Sequence, residues 1–332
     1  MQHLTTGRDP KQIRRDVRGV VLCVAAFILT LQIVAVLVVL LVAFIENAGS
    51  ITQITESSSD LTADTQSAEF LDFYAKAMDE YMGLGMIIGM ICGLCWFFLI
   101  RGKRFVTSDI PRVNSKANFG ILFILLVCIF GIQGLMALLY VLFEPLFNQG
   151  GGSLTDNLDE ATTSLAITFW GALYIAVIGP ICEELVFRGA VMRKLERYGS
   201  NFAIIVSSLL FALYHMILFQ AVFAFFIGII FAYAAGRFSL KWAILLHMIN
   251  NSMAVLATYA NSDIVSGILG MSYLVALLVT VIMIIVLRDL FAAQKTAGAP
   301  SEPRVYLRTF ASPWLIGYLI LTGILSVYVI FA

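Results

Sequence analysis

Charged residues and histidines are both scarce in this chain. Of its 332 residues, 13% are charged and only three are histidines, whereas 60% are apolar. Soluble domains are usually about 45 to 50% apolar. The composition therefore excludes an ordinary soluble domain and predicts an integral membrane protein. The chain also has no glycine-rich nucleotide loop and no basic stretch interleaved with aromatic residues, so we expect no nucleic-acid partner.

The cysteines give no indication of a disulfide framework. The chain has five cysteines, an odd number, and all of them fall in apolar segments. Such a distribution argues against a disulfide-stapled fold.

Long apolar stretches recur along the chain, each near the roughly 20 residues that cross a bilayer. They predict an all-α, polytopic helix bundle with eight to nine transmembrane helices, and the division between the fifth and sixth is the least distinct. The stretches cover residues 19–45, 82–100, 119–146, 165–187, 202–218, 219–236, 242–260, 264–287 and 310–330.

The basic residues test this topology independently, because cytoplasmic loops are rich in Lys and Arg. With a cytoplasmic N-terminus, every basic residue except Lys76 falls on the inner side, in the segments 8–18, 101–116, 188–197, 237–241 and 288–308. Lys76 lies in an acidic outer loop, residues 46–81, which we expect to be a solvated and unordered connector. The formal net charge of zero thus hides a strong asymmetry across the membrane.

The most unusual feature is a pair of adjacent carboxylates, Glu183 and Glu184, at the inner end of the fourth apolar stretch. An ionisable side chain at membrane depth is costly and marks a functional site by default. Residues four apart share one helix face, so Glu184 lies over Arg188. The two histidines outside the N-terminal tail, His215 and His247, both lie in later apolar stretches. Gly179-Pro180 is expected to interrupt the helix just before the carboxylates.

Three motifs in this order carry a family resemblance: Glu183-Glu184-x-x-x-Arg188, Phe211-x-x-x-His215 and His247-x-x-x-Asn251. Together they resemble the CPBP family of intramembrane proteases, which includes the CaaX prenyl endopeptidases and the bacterial Abi or bacteriocin-immunity proteins. The resemblance covers about residues 165–255. The expected organisation is a cytoplasmic tail, an N-terminal three-helix region with the acidic loop, CPBP-like catalytic helices and C-terminal membrane helices, at 1–18, 19–164, 165–260 and 261–332.

The resemblance implies a glutamate-dependent endopeptidase that acts on membrane-associated peptides or proteins. Glu183 would activate water as the general base, with His215 helping to hold or deprotonate that water. His247 and Asn251 would donate hydrogen bonds to the oxyanion of the scissile carbonyl.

Supporting roles are implied for the remaining motif residues, although either glutamate is able to act as the base. Glu184 and Arg188 look like an orienting pair, and Phe211 supports His215. The preferred mechanism requires no cofactor. The alternative is a zinc ion, because a Glu with two His is a reasonable zinc set, and its ligands would be Glu183, His215 and His247.

Two other classes of function compete with the protease. Carboxylate, histidine and arginine chains also relay protons, so a proton-coupled transporter is one rival, and a non-catalytic immunity or scaffold protein is another. A thiol mechanism through Cys182 is a rival within the enzyme class. For the protease we expect a cavity open to the cytosol and sideways to lipid, in a multi-pass protein of a bacterial plasma membrane. Substrate identity and oligomeric state stay open.

Overall fold

The computed structural model describes residues 10–56, 63–154, 156–260, 262–286 and 303–331. The described residues are almost entirely helical. In chain order the α-helices are α1 Pro10–Glu56, α2 Ala63–Gly93, α3 Cys95–Arg101, α4 Phe119–Gln149, α5 Asp156–Ile167, α6 Phe169–Leu173, α7 Gly179–Glu184, α8 Arg193–Leu195, α9 Ser200–Tyr214, α10 Leu218–Arg237, α11 Leu240–Ala260, α12 Asp263–Val286, α13 Pro303–Phe310 and α14 Pro313–Phe331.

Among the described residues, eight helical segments are long and apolar enough to cross a membrane. The predicted polytopic helical bundle is therefore confirmed. A ninth apolar helix, α9, has only 15 residues. The eight segments are Lys11–Glu46, Leu71–Arg101, Phe119–Gln149, Phe169–Tyr198, Leu218–Arg237, Leu240–Ala260, Ile264–Ile285 and Pro313–Phe331.

The acidic segment 46–81 is not the unordered connector that its composition suggested. Helix α1 continues through Glu56, and α2 already begins at Ala63, so only residues 57–62 lie outside the described part. Local contacts account for the added helix. Lys76 pairs with Asp72 at 2.7 Å on one helix face, and the Tyr81 hydroxyl donates to Glu46 Oε1 across the two helices at 2.7 Å. Helix α1 also begins earlier than the first apolar stretch, at Pro10.

Helices α1 and α2 run side by side because α2 presents glycines to α1. A Cβ added at Gly89 would lie 2.6 Å from the Leu31 carbonyl oxygen, and one at Gly85 would lie 2.6 Å from that of Ala35. Small residues at such contacts let membrane helices approach closely. Helices α4 and α12 pack in the same way through Gly131.

The central span, Phe169–Tyr198, is a helix that alternates between α and π geometry. A π turn at Tyr174–Ile178 comes just before Gly179-Pro180, and a longer π segment, Leu185–Met192, follows the carboxylates. The interruption predicted at Gly179-Pro180 therefore takes the form of wide turns on both sides of α7. Single π turns inside α-helices frequently mark functional sites.

Helix α9 ends at Tyr214 because the chain reverses there. Met216 adopts a φ of 58°, a left-handed conformation that non-glycine residues seldom take. The Ser326 hydroxyl of α14 donates to the Met216 carbonyl at 2.8 Å and holds this turn. His215 is consequently placed at the very end of α9.

The basic end of the bundle is tied together by ion pairs. Asp16 of α1 is buried, accepts a hydrogen bond from the Tyr198 hydroxyl at 2.8 Å, and lies 3.4 Å from both Lys194 and Arg197. Glu196 likewise joins Arg112 and Arg193. These contacts put the start of α1 and the end of the central span at one level.

Candidate active site

Glu184 is the centre of a fully buried polar network. Its Oε1 accepts from Arg188 Nη1 at 2.7 Å and lies 2.9 Å from Nδ1 of His247. Arg188 also donates from Nη2 to the carbonyl oxygen of Gly228 in α10, at 3.0 Å. Glu184 and Arg188 are each 0% exposed. The central span, α10 and α11 thus meet at one ion pair, in which a single guanidinium matches the charge of Glu184.

Aromatic rings enclose this ion pair. The Arg188 guanidinium carbon lies 4.3 Å from the ring centre of Phe211 and 5.5 Å from that of Phe231. Phe231 also stacks on His247, with ring centres 4.6 Å apart and planes inclined by 21°. Cations over aromatic faces are stabilised by the ring quadrupole, more so when water is excluded. Phe211 and Phe231 therefore fix both Arg188 and the His247 ring.

Glu183 occupies a different environment from its neighbour. Its Oε2 lies 3.7 Å from Nε2 of His247, which is longer than a hydrogen bond. It is 8% exposed, and its side chain lines a cavity of about 510 Å³ that neither Glu184 nor Arg188 lines. Of the two adjacent glutamates, Glu183 is the one that can contact a substrate or water in that cavity.

His215, His247 and Asn251 line the same cavity as Glu183. His215 bonds the Phe211 carbonyl through Nδ1 at 2.8 Å, so Phe211 orients it through its backbone as well as its ring, at 4.9 Å. The structure therefore brings all four residues of the expected catalytic set together. The supporting residues Glu184, Arg188 and Phe211 lie directly behind them.

Asn251 is held by a chain of amides. Its Nδ2 donates to the Ile175 carbonyl in the first π turn at 3.0 Å, and its Oδ1 accepts from Asn250 at 3.0 Å. Asn250 in turn accepts from Gln133 of α4 at 3.2 Å. A carboxamide nitrogen carries two hydrogens, and one of them is committed to Ile175. Asn250 therefore joins α11 to α4, and Asn251 joins α11 to the central span.

The cavity extends in the direction opposite to the one expected. Besides the site residues, its walls include Gln32, Met86, Leu165, Ile217, Gln220 and Leu325, with others from the same helices. Ile217 and Gln220 lie before and at the start of α10, roughly 25 to 30 Å from Arg237 at about 1.5 Å per residue. The described part of the chain thus places the cavity above the site, away from the basic loops. These walls do not support the expected opening to the cytosol, because depth along one helix does not reveal which side the neighbouring helices close.

The zinc alternative finds no support in this arrangement. Within the described ranges, no three His, Cys, Asp or Glu side chains are grouped so as to hold a metal ion. The Nδ1 atoms of His215 and His247 are already bonded to the Phe211 carbonyl and Glu184. Zinc held by Glu183, His215 and His247 stays a prediction, and no step below depends on a metal.

Several residues at the site escaped the sequence analysis. Tyr174 and Tyr214 line the cavity and hydrogen-bond to each other, while Phe231 and Gly228 shape the pocket around Arg188. A Cβ at Gly228 would lie 3.1 Å from Arg188 Nη2. Aromatic residues and glycines are common in apolar helices, so these positions had no distinguishing signal. The tyrosines could have been noticed as polar groups near motif residues, since Tyr214 directly precedes His215 and Tyr174 lies nine residues before Glu183.

Comparison with known proteins agrees with the motifs. Residues 165–253 match the family described as Type II CAAX prenyl endopeptidase Rce1-like. This segment contains every motif residue discussed above and confirms the family predicted from them. At family level it supports a CAAX protease-type intramembrane endopeptidase in a multi-pass membrane protein. Neither the curated proteins nor the solved structures contain a match to the chain.

Proposed function

We propose that this chain, which carries an Rce1-like domain of the CPBP/CaaX protease family at residues 165–253, is an intramembrane endopeptidase with Glu183 as its base. Glu183 takes a proton from a water molecule, which attacks the carbonyl carbon of the scissile peptide bond. His215, on the opposite wall of the cavity, orients this water. Glu183 then gives this proton to the leaving nitrogen as the C–N bond breaks. The products are a free carboxylate and a free amine, so the overall reaction is hydrolysis.

Charge balance supports a division of labour between the two glutamates. Isolated charges are costly in a low-dielectric interior, so the buried cluster is most stable with no net charge. Arg188 neutralises Glu184. The remaining balance then requires one proton to be shared between Glu183 and His247, whose facing atoms are 3.7 Å apart.

The reactive arrangement places that shared proton on His247. Glu183 is then an anionic base, and the His247 imidazolium lies between two carboxylates, with Nδ1 donating to Glu184 at 2.9 Å. Its Nε2–H faces the cavity and donates to the oxyanion that forms on the substrate. The second hydrogen of the Asn251 amide adds to this stabilisation. Donors fixed in advance around a developing oxyanion usually give the largest single contribution to acyl transfer.

One observation carries the proposal: Glu183, His215, His247 and Asn251, drawn from three separate stretches of sequence, line one cavity. Neither a proton-coupled transporter nor a scaffold needs this convergence beside a space large enough for peptide. A thiol mechanism lacks such a position, because Cys182 is buried and is absent from the cavity wall.

The test begins with proteomics of host membranes that contain either the wild type or Glu183→Gln, to identify a peptide whose cleavage depends on Glu183. The purified proteins are then assayed on that peptide in proteoliposomes. We expect Glu183→Gln, His215→Ala and His247→Ala each to lower kcat by about 10² to 10⁴-fold, the usual contribution of acid–base catalysis. Cys182→Ala is the matched control and should retain activity.

Undiminished cleavage by all three variants would rule out the mechanism. Proton flux that the same substitutions abolish, in the absence of peptidase activity, would instead establish the transporter. Biological function that survives in a folded Glu183→Gln variant would establish the scaffold role.

A further inference from the structure

The direction of the cavity determines from which side a substrate can arrive. Its floor is formed by Glu183, His247 and Ile227, and Ile227 lies roughly 15 Å from Arg237 at the basic end of α10. Its upper walls lie much further from that end. Val329, for example, is roughly 24 Å beyond Pro313 along α14.

Below the floor, the bundle is closed. Phe187, Arg188, Val191 and Phe231 are each 0% exposed and fill the space between the site and the basic loops, beneath Phe211, which lines the cavity. Arg188 is held in this layer by Glu184 and by the Gly228 carbonyl. A peptide coming from the basic end would have to displace this packed layer and break a buried ion pair.

Above the floor, the cavity walls carry both apolar and uncharged polar side chains. Most are apolar side chains such as Leu31, Met86, Leu165 and Phe223, while Gln32, Thr162 and Gln220 add uncharged hydrogen-bonding groups. No charged side chain other than Glu183 and the histidines lines the cavity among the described residues. Such walls fit an extended peptide with apolar side chains and a hydrogen-bonding backbone.

We infer that the substrate enters from the end of the bundle opposite the basic loops, so that the protein cleaves apolar peptide segments presented on the extracytoplasmic side. This inference rests on the proposed function for the cleavage itself, and on the cavity alone for the route. The basic loops define the cytoplasmic side. The substrate class is therefore a secreted peptide or the outer part of a membrane-inserted segment.

Accessibility of single cysteines tests the route without any need for activity. In the parent protein, Cys92, Cys95 and Cys128 are replaced by Ala, whereas the buried Cys23 and Cys182 are retained. Three variants are then made: Gln220→Cys in the cavity, Lys103→Cys among the basic loops, and Lys76→Cys on the exposed acidic side of α2. Each is treated with a membrane-impermeant sulfonated maleimide in sealed right-side-out and inside-out vesicles.

We expect Gln220→Cys to be labelled in the same vesicles as Lys76→Cys, at least tenfold more than in the opposite orientation. Thr162→Cys, on another wall, should behave in the same way. Labelling of both cavity positions together with Lys103→Cys, or from neither side, would overturn the inference. The unlabelled parent shows that the native thiols do not contribute. Because the readout is chemical, an inactive protein would refute the proposed function and leave this result intact.

Discussion

The helices around the site and the helix pair α4–α12 are held together by different kinds of contact. In the central span, α9, α10 and α11, buried polar groups meet across helices: Glu184 with His247, Arg188 with the Gly228 carbonyl, and Asn251 with the Ile175 carbonyl. The α4–α12 pair is held by close contact instead, since a Cβ at Gly134 would lie 2.3 Å from the Tyr273 carbonyl oxygen. Among the described side chains of α12, only Ala276 and Thr280 are buried.

The difference shows how a membrane protein can separate scaffold from chemistry. Lipid gives no hydrophobic drive for one helix to pack on another, so small residues and van der Waals contact suffice for α4 and α12. Charged side chains in lipid are costly unless they pair with one another or with backbone carbonyls. The site region therefore depends on exact pairing of charges, whereas α4–α12 depends only on shape.

The largest effect is expected from breaking the charge pairing. Arg188→Leu leaves Glu184 buried without its cation, and loss of one partner of a buried ion pair costs about 3 to 5 kcal/mol. Thermal or denaturant unfolding in mixed micelles measures this loss. Asp72→Asn is the control, because its pair with Lys76 is exposed and is worth at most about 1 kcal/mol. Equal losses in both variants would remove the contrast between the regions.

A steric change in α4 should lower stability without changing the chemistry. Gly134→Val introduces atoms where the Tyr273 backbone already lies, and overpacking of this kind costs about 1 to 3 kcal/mol. The same unfolding measurement gives the loss, and kcat per folded molecule should equal that of the wild type. A fall in kcat greater than the fall in folded fraction would show that α4 does influence the site, through Gln133 and Asn250.

The opposite result, a change in the chemistry rather than in stability, is expected from a substitution among the aromatic rings around Arg188. Phe231→Leu keeps an apolar side chain but loses the stack on His247 and the face toward Arg188. A cation–π contact in a desolvated site is worth about 1 to 2 kcal/mol, so we expect kcat to fall roughly tenfold while KM stays the same. Phe226→Leu, on an exposed position of the same helix, is the matched control. An increase in KM alone would contradict a role in positioning His247.

The smallest effect is expected from the polar contact within the scaffold pair. The Thr280 hydroxyl of α12 donates to the Val127 carbonyl of α4 at 3.3 Å. Hydrogen bonds between membrane helices average about 0.6 kcal/mol, so Thr280→Val should lower the free energy of unfolding by about that amount. Peptidase activity should not change. A loss above about 2 kcal/mol would mean that the scaffold, too, depends on polar pairing.

Sequence reasoning succeeded where the pattern was local and rare. The helical bundle followed from the length of the apolar stretches. The pair Glu184–Arg188 followed from four-residue spacing, and the structure gives it at 2.7 Å. With only two histidines in the apolar segments, His215 and His247 had few alternative partners.

It failed where the outcome depends on tertiary packing. Nothing around Met216 signals its left-handed turn, since neither Gly nor Pro is adjacent. The π turns around α7 have no sequence signature either. Most importantly, the closed layer beneath the site depends on Phe211 of α9 and Phe231 of α10 both packing against Arg188, and these contacts join three helices. The side on which the cavity opens could not be read from any one segment.

The turn at Met216 shows that the segment matched by the family does not contain the whole site. Its carbonyl is held by Ser326, and Ile28, Leu31 and Leu325 contribute to the cavity, yet all four of these residues lie outside 165–253. The stretch that family comparison recognises is therefore not a self-sufficient module. An excised fragment would lose both the hydrogen bond that holds the turn behind His215 and several walls of the cavity.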